Sequence, residues 1–270
     1  MDRPASDYLH ELGHWRAEEH DQHWALVRHF IDESGPQAAL ATARLWCASA
    51  DADTRCAGLD VFGELGQSDP DLITELLEFV RPAVLSDNCE VRWSAAVAMR
   101  YISDDRAAAV FLDLLFDPDD DVRCQAVYGL PLPHQDDLPE DHPVVQGLLR
   151  AMEDPVDTVR DWATFGLGQL SSDTPAIREA LVRRVADPHE DTACEAIVAL
   201  ADRKDPRVVA ILQDWLSRRE VCNLVVEAAE CIADPRLLPA LLALKSQGWL
   251  VQGQETLLDD AIAACSVPAD

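Results

Sequence analysis

Basic residues are scarce in this chain: 22 Lys and Arg stand against 50 Asp and Glu in 270 residues, a formal charge of −28. Binding to a phosphate backbone runs on neutralisation by Lys and Arg, so nucleic acid and anionic membrane surfaces are excluded as partners. Basic proteins, which an acidic field steers inward, are favoured instead. No apolar stretch approaches the roughly 18 residues that a membrane-spanning helix requires. The first residues, MDRPASDYLHEL, lack the basic start and apolar run of a secretion signal. Eight cysteines sit singly at 47, 56, 89, 124, 194, 222, 231 and 265, with no C-x-x-C pair. Single cysteines at helix-face positions suit a reducing compartment, so a cytoplasmic protein is expected.

What the chain does contain is one phrase repeated. An acidic residue, often followed by proline, precedes a short gap, then Val-Arg, then small and apolar residues at helical spacing. The fullest copy is DPVDTVRDWATFGLGQL at 154–170, with others at 87–102 and 117–130. The Val position is held in turn by Thr54, Val91, Val122, Val159, Thr192 and Leu224, in steps of 31 to 37 residues. Periods of this size mean stacked helical repeats. Four residues after the Val position stand Gly58, Ala95, Ala126, Ala163, Ala196 and Ala228, small enough to let neighbouring helices approach closely. Asp-Pro at 69–70, 117–118, 154–155, 187–188, 205–206 and 234–235 marks turns, because proline suits the first helical position.

Over roughly residues 36–265 these features resemble the HEAT-repeat family, two antiparallel helices per repeat. The resemblance implies an all-α, right-handed α-α superhelix of about six or seven helix pairs, with the repeated phrase opening each second helix. It also implies a ladder between adjacent repeats, here from Asp87, Asp117 and Asp154 with Arg92, Arg123 and Arg160. Ala193 and Val225 replace the arginine in the last copies, so the ladder is expected to lapse there. The twenty arginines against Lys204 and Lys245 point to a GC-rich, bacterial genome.

Residues 1–35 lack the phrase and read as a helical cap; residues 36–270 read as one continuous array. Its one irregular stretch is PLPHQDDLPEDHP, 131–143, expected to project as an acidic loop because four prolines cannot continue a helix.

At 100° per residue, positions two and six after Val turn away from the core, toward the inner, concave surface of such an array. Those columns hold Trp93 and Asp161, then Asp60, Val97, Tyr128 and Phe165, with Trp162 beside them. An apolar row on a surface that should be polar predicts a groove of Trp93, Val97, Tyr128, Asp161, Trp162 and Phe165. The expected function is a non-enzymatic scaffold or adaptor that grips a basic or amphipathic protein segment. An acidic inhibitor, such as an immunity-type protein masking a basic toxin or nuclease, is the alternative with the same charge logic.

One motif carries possible chemistry. His10-Glu11-Leu12-Gly13-His14 matches H-E-x-x-H, two histidines one helical turn apart for zinc and a Glu to activate water, with His20 where an extended pattern puts a third ligand. Ala17 replaces the glycine of that extended pattern, and too little chain precedes the motif to form a substrate cleft. A capping helix is the favoured reading, and a zinc hydrolase the minor one. Asp117-x-Asp119-x-Asp121 imitates the start of a calcium loop, but Val122 stands at the required glycine and Tyr128 at the closing Glu, so calcium is rejected.

Overall fold

The computed structural model describes residues 5, 7–9, 11–12, 20–100, 102, 104–250 and 256–266; of residue 20 it describes the backbone alone. All the regular structure among them is helical, and the chain divides into two compact units, Met1–His134 and Gln135–Asp270.

In the first unit α1 (His20–Ser34) is followed by three helix pairs: α2 (Pro36–Cys47) with α3 (Ala52–Ser68), α4 (Ile73–Ala83) with α5 (Cys89–Met99), and α6 (Asp105–Leu114) with α7 (Asp120–Tyr128). Gly35, at φ 77°, supplies the left-handed residue that ends α1, and Pro36 opens α2. The stripe Ile73, Leu76, Leu77, Val80 and Ala83 buries one face of α4. Second helices pack on one another, α3 on α5 and α5 on α7, making one layer, while α2, α4 and α6 cover it. Small residues set how near they come: a Cβ on Gly63 would lie 2.7 Å from the Ala98 Cα. The whole small-residue column, Gly58 to Ala126, is buried accordingly.

The second unit repeats the plan. Its pairs are α8 (Pro143–Ala151) with α9 (Asp157–Gln169), α10 (Pro175–Arg184) with α11 (Glu190–Asp202), α12 (Val208–Leu216) with α13 (Asn223–Ile232), and α14 (Leu238–Ser246) with α15 (Leu257–Cys265). Here α9, α11, α13 and α15 form the second-helix layer. Gly248, at φ 79°, makes the turn after α14.

Turn acids work mainly as local acceptors. The carboxylates of Asp117, Asp154, Asp187, Asp205 and Asp234 each accept the amide N–H two residues on, at 2.9–3.0 Å. Asp51, Asn88 and Asp119 accept an amide N–H three residues on, capping α3, α5 and α7.

The expectation of a freely projecting 131–143 loop needs correction. Leu132 is buried, and in the second unit Leu138 exchanges two 2.8 Å hydrogen bonds with the Ser172 hydroxyl, while Ser171 N–H donates to Asp136. Prolines remove helical N–H donors, but the remaining backbone groups still need partners, and the chain between α9 and α10 supplies them. The acids 136, 137, 140 and 141 stay exposed on this stitched segment.

Candidate binding surface

Rungs between successive turns join an arginine of the repeated phrase to the acid of the following turn. Arg92 donates from Nε and Nη2 to Asp117 of the next turn at 2.6 and 2.8 Å, and Arg160 donates likewise to Asp187 at 2.8 Å. Each arginine also reaches back six residues to a turn carbonyl: Arg92 to Ser86, Arg123 to Asp117, Arg160 to Asp154. The acceptor therefore belongs six residues before the next Val-Arg arginine, and before Arg92 that position is Ser86. Asp87 sits one residue too late and is exposed. Arg55, which should meet residue 86, keeps its Nε buried with no hydrogen-bond partner among the described residues.

In the first unit the expected aromatic row is thinner than the spacing implies. Trp93 is half-buried on α5, and Val97 is only 3 % exposed because α3 and α7 close over it. Val97 therefore belongs to the core. Asp60 of the same column is wholly buried and pairs with His23 of α1 at 2.9 Å. Tyr128, 40 % exposed, carries the Arg100 guanidinium 4.9 Å above its ring. This aromatic already has a cation.

The second unit differs in charge. Phe165 is 38 % exposed and meets Trp162 edge to face, ring centres 5.7 Å apart. Asp161 precedes Trp162 on α9, and Glu195 of α11 and Glu227 of α13 share its electrostatic neighbourhood; all three are half-buried. Burial lifts the Asp161 carboxyl above its ordinary range, against the pull of His189. Burial, then the charges of Asp161, Asp191 and Glu227, push Glu195 up to about 7. A carboxylate crowded by three others is held part-protonated near neutral pH. Sequence periodicity found Asp161, Trp162 and Phe165 but missed Glu195 and Glu227, which lie one residue round their helices from the columns used.

Of the H-E-x-x-H motif, His10 and His14 lie outside the described residues, as does the side chain of His20. Glu11 is half-buried, and Leu12 and Tyr8 are buried, Tyr8 edge to face with Phe30 at 5.1 Å. Asp119, Asp120 and Asp121 each bring one carboxylate oxygen within 4.8 Å of the others, but Asp119 is already the cap of α7.

Residues 145–230 match the HEAT-repeat family model. Over 94 residues the chain is 37 % identical to the protein YibA of Escherichia coli K12 and of O157:H7, a match covering 35 % of this chain and 34 % of theirs. The chain thus spans about a third of the length of the curated relatives it matches. The solved structure of Escherichia coli YibA superposes with a TM-score of 0.72 at 22 % identity, over 94 % of this chain and 90 % of that one. An archaeal HEAT-like repeats protein from Thermococcus onnurineus gives 0.50 at 16 % identity, over 94 % and 98 %. Such identities speak to the fold alone, an all-α helical repeat. Repeated phrase and paired helices agree with these likenesses: the chain has a HEAT-like α-solenoid fold, its residues 145–230 match the HEAT-repeat model, and a stretch of 94 residues is similar to bacterial YibA.

Proposed function

We propose that this protein is a binding scaffold whose second unit takes a basic, amphipathic protein segment on the face formed by α9, α11 and α13. Two observations support the reading: the mutual crowding of Asp161, Glu195 and Glu227, and the exposed Phe165 against Trp162 on the helix that carries Asp161. Like charges pressed together in a partly desolvated place are unfavourable in the free protein, and a guanidinium or ammonium group laid between them relieves the repulsion. The aromatic edge then takes the apolar side of the segment. Trp93 and Tyr128 form a separate aromatic surface in the first unit, which the Arg100 cation suits better to a neutral or acidic contact. The eight cysteines, all free thiols, support a reducing, intracellular setting.

A Lys/Arg-rich amphipathic helical peptide tests this. Calorimetric titration at pH 7 in buffers of different ionisation enthalpy should register release of a fraction of a proton, because a bound cation lowers the Glu195 pKa. Glu195→Gln should abolish that release, and Trp162→Ala with Phe165→Ala should weaken binding about tenfold or more, one buried aromatic anchor being worth about 2 kcal/mol. Binding that ignores all three substitutions would remove the site from the second unit. If the peptide fails but a folded basic protein binds, with affinity collapsing as salt rises, the inhibitor reading gains instead.

A further inference from the structure

The residues Cys194 and Cys222 lie 28 apart in sequence, yet their sulfurs are 2.9 Å apart. Side-by-side packing of α11 and α13 brings them together. We propose that they are a redox-active dithiol, a modification site at which a hydroperoxide converts the pair to a disulfide joining α11 to the start of α13.

The two cysteines occupy unlike places. Cys222 is the N-cap of α13, with extended backbone at φ −75° and ψ 156°, where α3, α5, α7 and α11 place Asp51, Asn88, Asp119 and His189. Its sulfur makes no cap hydrogen bond but feels the nearby N–H groups of Val225 and Leu224, and it is partly exposed. The hydrogen bond from Cys194 and these helix-end N–H groups favour the thiolate, lowering Cys222 to about 7 although burial and Glu190 oppose them. Cys194 is 2 % exposed, and its thiol is pushed up by that same hydrogen bond and by burial. One sulfur is thus a reachable nucleophile, and the other a shielded thiol in contact with it.

The chemistry balances with hydrogen peroxide or an organic hydroperoxide as oxidant. The Cys222 thiolate attacks one peroxide oxygen, the O–O bond breaks, and the departing oxygen takes a proton and leaves as water or alcohol. The Cys194 sulfur then attacks the Cys222 sulfenic sulfur. The S–S bond forms, the S–O bond breaks, and the expelled hydroxide takes the Cys194 proton to leave as water. Two thiols lose two electrons and the peroxide gains two. Closing the contact to a disulfide asks for a sulfur displacement of about 1 Å.

The full chain, treated with one equivalent of hydrogen peroxide, alkylated and digested without reduction, tests this by peptide mass mapping. The expected product is a single linked Cys194–Cys222 peptide that dithiothreitol reverses, with the other cysteines still alkylated. In Cys194→Ser the sulfenic acid should persist and be captured by dimedone at Cys222, about tenfold faster or more than at Cys89 or Cys124. Mapping of the wild type keeps the test decisive should that variant fold poorly. Oxidation spread over the other cysteines, or a Cys222 no faster than Cys89, overturns the proposal.

Discussion

Two carboxylates of the second unit respond to pH in opposite directions. Asp205 is held at about 2 by hydrogen bonds from Arg207, against the cost of burial, with Arg178 adding a third donor at 3.2 Å. Its folded pKa lies below the unfolded value of 3.8, so its stabilisation is complete above that value and disappears as pH falls toward 2. Asp205→Asn should cost about 2 kcal/mol at pH 7 and nothing near pH 2, a difference that urea unfolding at several pH values measures. Glu195 runs the other way: its folded pKa of about 7 exceeds the ordinary 4.5, so folding is favoured below pH 4.5 and loses that contribution as pH rises through 7. Glu195→Gln should therefore raise the unfolding free energy at pH 8 by on the order of 1 kcal/mol after solvent screening, and leave it unchanged at pH 4, in the same urea measurement.

At the level of helices, Arg203 is the residue that pattern reading overlooks. It is buried, and its guanidinium donates to the carbonyls of Leu167, Leu170, Ser172 and Ala199, closing the C-terminal end of α9 from its place just after α11. Arg203→Lys should not rescue an Arg203→Leu loss of about 3 kcal/mol, since one ammonium cannot span four carbonyls. Thermal denaturation of both variants decides it. Arg160→Ala, by contrast, leaves Asp187 buried with Arg184 at 3.1 Å as its remaining ion-pair partner, and should cost about 3 kcal/mol in the same assay. The helices themselves were legible because Asp-Pro turns, Val-Arg and small residues recur at fixed offsets, and each device is local. Arg203 was not legible, because its acceptors lie 31 to 36 residues away apart from Ala199. Nor was Val97: periodicity gave its direction, whereas its burial depends on how closely α3 approaches α5, which Gly63 against Ala98 sets.

For the molecule as a whole, charge and repetition lead to different predictions. The formal −28 makes capture of a basic protein sensitive to salt, with the association rate expected to fall about tenfold or more between 20 and 200 mM NaCl in stopped-flow fluorescence. Binding carried mainly by Phe165 and Trp162 would change far less.

The serine at 86 sets one junction apart from the rest. It stands where the later turns carry Asp117 and Asp187, and the buried Arg55 Nε has no hydrogen-bond partner among the described residues. Ser86→Asp puts a carboxylate at that place with one substitution in a turn, so the α3–α5 junction is a seam that can be tightened without altering either helix.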